Sequence, residues 1–252
     1  MKSIRNRIVK IGRGISIVLA LFLASCTGTP TTENPIPSIS SIVPDSPGKM
    51  LVVMLPGRGD RADNFVKAGF VEIGNRQHFD VIAVDAHFGY YNEPNLITRL
   101  HDDVIVPAIE RGYESIWMLG VSMGGFGSLL YAAKHPGVIS GVILLAPFLG
   151  GYALVDEIEN AGGIRAWNGD AKGFDQYEVD LWRWLKSEVT SLDGTPVVLG
   201  FGSSDRLAED YGPLVQELDS ANVFESDGGH NWKTWGPLWN RIAAEVEISL
   251  AK

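Results

Sequence analysis

Five residues, Gly120-Val121-Ser122-Met123-Gly124, constrain this chain more than any other segment. They close an apolar run, Ser115–Val121, and open a small, apolar stretch, residues 124–135, that is stopped by Pro136-Gly137. In that setting Gly-x-Ser-x-Gly describes a tight turn from a buried strand into a helix. The glycines two residues either side of the serine avoid steric collision, and the turn lifts the hydroxyl above the C-terminal edge of the sheet. The helix N-terminus behind it favours developing negative charge. Taken alone, the pentapeptide also fits a Gly-rich turn with a surface serine. The flanking strand and helix give it chemical meaning.

The rest of the sequence supplies the sheet that such a turn requires. Met50–Leu55, Asp80–Val84 and residues 138–146 and 196–201 are near-continuous apolar runs, the pattern of parallel strands covered on both faces. Helical spacing lies between them. Leu96, Leu100, Val104, Ile105 and Ile109 form one stripe over residues 96–111, and Ile242, Val246 and Leu250 another over residues 239–250. This alternation predicts an α/β fold, a mostly parallel central sheet flanked by helices on both faces. A chain of 252 residues is long enough for one such domain, expected over residues 49–252. Residues 149–195 form a connection longer than a crossover needs, with Trp167, Trp182 and Trp184 in it. It reads as a lid or insertion, within which Gln176–Val189 looks helical and suits the crossover itself.

The N-terminus has a different character. Lys2, Arg5, Arg7, Lys10 and Arg13 precede an apolar run, residues 15–24, that ends at Ser25-Cys26, and no acidic residue occurs before Glu33. This is the layout of a secretory signal, residues 1–25, with an apolar core short of the roughly 20 residues a spanning helix needs. Leu23-Ala24-Ser25-Cys26 resembles the lipobox of bacterial lipoproteins. That resemblance implies cleavage before Cys26, lipidation of Cys26, and an exported protein anchored to a membrane, the outer one where the cell has two. The alternative is an ordinary signal peptide followed by a free cysteine, the chain's single Cys. Residues 26–48, rich in Pro, Ser and Thr, read as a flexible tether, with a first strand around residues 38–43 as the other reading. The first 25 residues carry five basic and no acidic side chains, which leaves 16 basic against 30 acidic, a net −14, after cleavage. A surface that acidic argues against nucleic-acid binding.

The stretch IWMLGVSMGGFGSLLYAAKHP resembles the nucleophile elbow of the α/β-hydrolase superfamily. It is similar to the branch of esterase D-like enzymes, S-formylglutathione hydrolases and siderophore esterases of the enterochelin type. The resemblance implies an α/β-hydrolase fold and makes Ser122 the nucleophile. A serine hydroxyl needs a base, and histidine suits that role near neutral pH. Of the five histidines, His230 lies in Gly228-Gly229-His230-Asn231-Trp232, after a strand-like stretch and before the last helix, where the superfamily presents its catalytic histidine. His135 reads as a helix C-terminal residue, His101 sits inside a helix, His78 precedes a strand, and His87 is a pocket residue at best. Asp205, after the strand at residues 196–201, gives the superfamily's chain order Ser, Asp, His. Its other reading is a helix N-cap, and Asp227 is the weaker candidate for the acid.

The backbone N–H of Met123 is the usual first oxyanion donor, and the loop after Met50–Leu55 should give the second. That loop, Pro56-Gly57-Arg58-Gly59-Asp60, resembles the His-Gly-x-Gly oxyanion loop with Pro56 in place of histidine, so the resemblance assigns the second N–H to Arg58. The Arg58 side chain suits an acidic substrate group, and Asp60 reads equally as a brace or a surface carboxylate. Trp182, Trp184, Trp232 and Trp235 read either as walls of an apolar pocket or as packing. No His-Glu-x-x-His, cysteine cluster or P-loop occurs, so no metal and no cofactor is expected. The expected activity is hydrolysis of a small-molecule carboxylic ester through an acyl-serine. An acyltransferase, lipase or peptidase on the same fold, or a non-catalytic ligand-binding surface lipoprotein, are the alternatives. The sequence is silent on oligomeric state.

Overall fold

The apolar runs pair into one seven-stranded sheet. The computed structural model describes residues 30–44, 50–170, 172–191 and 194–250. The strands are β1 (Ser38–Ser41), β2 (Met50–Leu55), β3 (Asp80–Val84), β4 (Ser115–Val121), β5 (Gly141–Leu145), β6 (Val197–Gly202) and β7 (Val223–Ser226). Their spatial order is β1-β3-β2-β4-β5-β6-β7, with every pairing parallel except β1 on β3. In register, Val121 lies beside Leu145, Leu145 beside Gly200, and Gly200 beside Phe224. The C-terminal ends of β4 to β7 therefore line up along one rim.

Both faces of the sheet are covered over β2 to β6, which is why these inner strands are apolar runs rather than alternating. Leu51, Val53, Leu55, Met118, Leu144 and Leu199 point to one side. There they meet helices α3 (Phe88–Asn92), α4 (Leu96–Leu100), α5 (Val106–Glu110), α6 (Met123–Lys134), α7 (Tyr152–Asn160), α8 (Gln176–Val189) and α9 (Gly212–Val215). Val52, Met54, Leu119, Val121, Ile143 and Val198 point to the other, where α10 (Trp232–Leu250) packs with the short helices α1 (Ala62–Lys67) and α2 (Phe70–Arg76).

Three elements depart from the sequence reading. Within the segment expected as a tether, the other reading holds at residues 38–41, where β1 adds to the sheet edge; most side chains of residues 30–44 are exposed, but Ile36 is buried and Asp103 accepts a hydrogen bond from its amide at 2.8 Å. A Pro-rich segment can do this because an edge strand needs ladder bonds on one side only. The predicted helix over residues 96–111 is two α-helical pieces joined by a π-turn at His101–Ile105. Pro107 has no N–H for the ladder, and the wide turn lies immediately before it. The last helix begins at Trp232, seven residues earlier than expected, because Pro237 falls in its second turn and removes only one ladder bond. The signal segment and Cys26 lie outside the described residues. Among the described residues, no helix is long and apolar enough to cross a membrane.

Residues 149–195 contain α7 and α8, and α8 is the crossover from β5 to β6. Its apolar face, with Val179, Trp182 and Leu185, turns inward. The expectation that Trp182 and Trp184 line a pocket is therefore corrected. Both are buried in the core, and the Trp182 indole N–H donates to the Leu149 carbonyl at 2.8 Å. Replacing a buried aromatic by alanine costs about 3–5 kcal/mol. Trp182→Ala should lower the urea-unfolding free energy by that amount; a loss below about 1 kcal/mol would contradict a core role.

Candidate active site

Ser122 stands at the end of β4 with φ 51° and ψ −115°, a backbone region costly for a residue with a Cβ. The surroundings hold it there. Its N–H donates to the Leu145 carbonyl at 2.9 Å, and its own carbonyl accepts from the Phe148 and Gly125 amides, each at 2.9 Å. Side chains are excluded on both flanks: a Cβ on Gly120 would strike the Gly124 backbone, and one on Gly124 would strike the Leu55 carbonyl. Met123 is the first residue of α6, so its N–H has no partner in the helix ladder.

Two loops from the same rim complete a chain of hydrogen bonds. After β6, the Asp205 amide donates to the Gly202 carbonyl at 2.9 Å, and the Asp205 carboxylate accepts from the Leu207 amide at 2.9 Å. That second bond is a local turn bond rather than the helix cap expected as the other reading, since Leu207 stands at the N-cap of the short helix that follows, and it coexists with a further one. His230 Nδ1 lies 2.9 and 3.0 Å from the two carboxylate oxygens of Asp205, whose side chain is shut off from solvent. On the ring's far side, His230 Nε2 lies 2.9 Å from Ser122 Oγ. With Nδ1–H donating to the carboxylate, Nε2 is the acceptor for the serine hydroxyl.

The histidine loop is fixed by small residues. Gly228, at φ 126°, gives its carbonyl to the Ser204 amide at 2.8 Å and leaves no room for a Cβ against Thr234. Trp235 meets the His230 ring edge to face, centroids 5.0 Å apart. Asp227 has no part in the chain; the carboxylate that reaches His230 is Asp205.

Two cavities adjoin the elbow. The first, about 290 Å³, holds Ser122 and His230 together with Gly57, Arg58, Asp60, Arg206 and Trp232. The second, about 310 Å³, is walled mainly by aromatic side chains (Phe88, Tyr91, Phe126, Phe148 and Tyr177), with Met123 on its side facing the elbow. Tyr91 fixes that junction by donating from its hydroxyl to the Met123 carbonyl at 3.0 Å. The Arg58 guanidinium lies 4.9 Å from the centre of the Phe88 ring, at the boundary between the cavities.

Of the residues singled out from sequence, Ser122, Asp205, His230, Met123, Arg58 and Trp232 meet here. His87 does not: it is buried, caps α3 by accepting from the Gly89 amide at 3.1 Å, and lines neither cavity. Burial, with a smaller contribution from Arg61, pushes its pKa down. Asp60 has a larger place than a surface carboxylate. Burial raises its pKa, while hydrogen bonding to Trp232 and the nearby His230 act in the opposite direction. It thus ties the loop after β2 to the histidine loop. Arg61 anchors the far end of that loop, donating from Nε to the Asp85 carboxylate at 2.8 and 2.9 Å. The aromatic wall went unnoticed in the sequence, where only the Tyr90-Tyr91 pair and Phe148 just past β5 hinted at it.

A serine, a histidine and a buried carboxylate joined by hydrogen bonds at the C-terminal rim of a parallel sheet define the hydrolase class of α/β proteins. The family model described as alpha/beta hydrolase fold matches residues 51–183, and the chain belongs to that family. Among solved structures, it is similar to an S-formylglutathione hydrolase from Staphylococcus aureus (17% identity, 82% of this chain and 83% of that one, TM-score 0.55). It is also similar to a monoacylglycerol lipase from Paleococcus ferrophilus (20%, 85% and 98%, 0.57) and to Est1E from Butyrivibrio proteoclasticus with ferulic acid bound (18%, 86% and 96%, 0.54). No curated protein matches the chain.

The electrostatics around Asp205 extend to Asp210, five residues on. Burial pushes the Asp210 carboxyl up to about 6, helped by Asp156, Glu209, Glu159 and Asp205. A raised folded-state pKa means the fold holds the proton through a range in which the unfolded chain, near 3.8, has lost it. That stability is fully present below the unfolded value and is lost as pH rises through about 6. Asp210→Asn should therefore raise the melting temperature more at pH 7.5 than at pH 4, and an equal shift at both would contradict this. The two pH values bracket the interval between the two pKa values.

Proposed function

We propose that this protein is a serine hydrolase that cleaves carboxylic esters through an acyl-serine intermediate. The observation that carries the reading is the 2.9 Å approach of His230 Nε2 to Ser122 Oγ, with the Asp205 carboxylate on Nδ1. His230 takes the hydroxyl proton as Oγ attacks the ester carbonyl. The tetrahedral oxyanion is received by the backbone N–H groups of Met123 and Arg58, and losing one such donor typically costs about 3 kcal/mol in the barrier. His230 then passes its proton to the leaving alcohol oxygen, the C–O bond breaks, and the acyl group remains on Ser122. Water enters, His230 removes its proton, and the hydroxide equivalent attacks the acyl carbon. Collapse releases the acid and returns the proton to Oγ. Throughout, Asp205 keeps the imidazole oriented and stabilises its charged form.

The fold neighbours include proteins named as an S-formylglutathione hydrolase and a monoacylglycerol lipase. That supports acyl chemistry here without identifying the acyl group. A fluorophosphonate probe tests the reading: wild type should carry one adduct, on Ser122, and Ser122→Ala should carry none. Absence of label on folded wild type, beside a control hydrolase that labels, would overturn it.

A further inference from the structure

The two cavities beside Ser122 differ in charge, and the difference orients the substrate. In the cavity that holds the nucleophile and the histidine, the cationic side chains are Arg58 and Arg206. Among the described residues neither forms an ion pair, a state they share with Arg111 and Arg241, whereas Arg61, Arg76, Arg99, Arg165 and Arg183 lie against carboxylates. What sets Arg58 and Arg206 apart is that they line the cavity of Ser122 and His230. The cavity's own carboxylate, Asp60, does not supply a partner. It is hydrogen-bonded to Trp232 and forms no ion pair with either arginine.

The Arg58 guanidinium lies over the Phe88 ring, 4.9 Å from its centre, and Arg206 directly follows Asp205 on the loop after β6. The aromatic cavity carries the opposite sign. Its charged residues are Asp175, which caps α8 by accepting from the Tyr177 amide, and Glu178. An anion is therefore repelled from the aromatic side and attracted to the histidine side.

The chemistry assigns which half of the ester goes where. His230 must deliver its proton to the leaving oxygen, so the alcohol half occupies the cavity that contains His230. The acyl half extends past Met123 into the aromatic cavity, whose volume of about 310 Å³ is near the lower end of the roughly 300–1,000 Å³ of small-molecule sites. Resting on the hydrolase reading above, we propose that the substrates are esters joining a compact apolar acyl group to an alcohol that carries a carboxylate. Arg58 and Arg206 receive that carboxylate. Arginine suits the role, since its planar fork matches a carboxylate's two oxygens.

The test uses the butyrate ester of 4-hydroxybenzoate and the butyrate ester of methyl 4-hydroxybenzoate, which differ in one negative charge on the leaving group. For each enzyme the quantity read is the ratio of kcat/KM, charged over neutral. Arg58→Gln and Arg206→Gln should each lower that ratio about 5- to 10-fold, between the values for exposed ion pairs and for charged hydrogen bonds, and Arg206→Lys should restore part of it. Raising the salt concentration should lower the wild-type ratio more than that of the double variant.

A ratio unchanged by either substitution overturns the proposal. So does a wild type that takes fluorophosphonate on Ser122 yet turns over neither ester. A third substrate, 4-nitrophenyl hydrogen succinate, puts the charge in the acyl half and should be a poorer substrate than 4-nitrophenyl butyrate. If it is the better one, and loses that advantage in the arginine variants, the orientation is reversed. Loss of the fluorophosphonate label itself would mark failure of the hydrolase reading instead.

Discussion

Parallel pairing of β4 to β7 is the constraint on which the rest of the structure depends. Because Val121, Leu145, Gly200 and Phe224 sit side by side, the loops that follow their strands emerge at one rim. Ser122 is one residue beyond its strand, Asp205 three residues beyond, and His230 four residues beyond. A shift in the pairing of β6 on β5 or of β7 on β6 would carry a carboxylate or an imidazole several ångströms away from the serine. The apolar strands thus do more than bury surface. They set the register that brings together side chains up to 108 residues apart in sequence.

Most of this was legible because it depends on local sequence chemistry. β2, β3, β4 and α8 have the limits their residues suggested, since continuous apolar runs and an amphipathic stripe leave little choice of element. The elbow was legible for a steric reason: glycines at 120 and 124 are forced by backbone atoms that would collide with any Cβ. Boundaries set by proline were harder to read. Pro107 lies inside the stretch expected as one helix but follows a π-turn that divides it, and Pro237 precedes the expected start of the last helix yet sits inside a helix that continues through it. The edge strand β1 was legible only as the second of two readings, because Ile36 and Ile39 are sparse among prolines and serines, and the bond that anchors Ile36 is to Asp103, 67 residues away.

The cavities were the least legible part. Tryptophan in a long insertion suggests a substrate wall, but Trp182 is in the core because α8 is the crossover and must bury its inner face against the sheet layer. The side chains that do shape the site come from separated segments: Phe88 and Tyr91 after β3, Phe126 on α6, Phe148 after β5 and Tyr177 at the start of α8. No periodicity links them. Asp60 is similar, since its environment is made by Trp232, at the start of α10 near the other end of the chain. Side chains that converge only through tertiary structure leave no pattern in the sequence.

The account stands or falls on whether Ser122 and His230 act as one unit. Steady-state kcat/KM on a single activated ester, for Ser122→Ala, His230→Ala and the double variant, measures this directly. Either single loss should lower activity by several orders of magnitude, and the double variant should be no worse than the poorer single variant, because removing one member already disables the other. Losses that multiply in the double variant, or near wild-type activity in His230→Ala, would contradict the account.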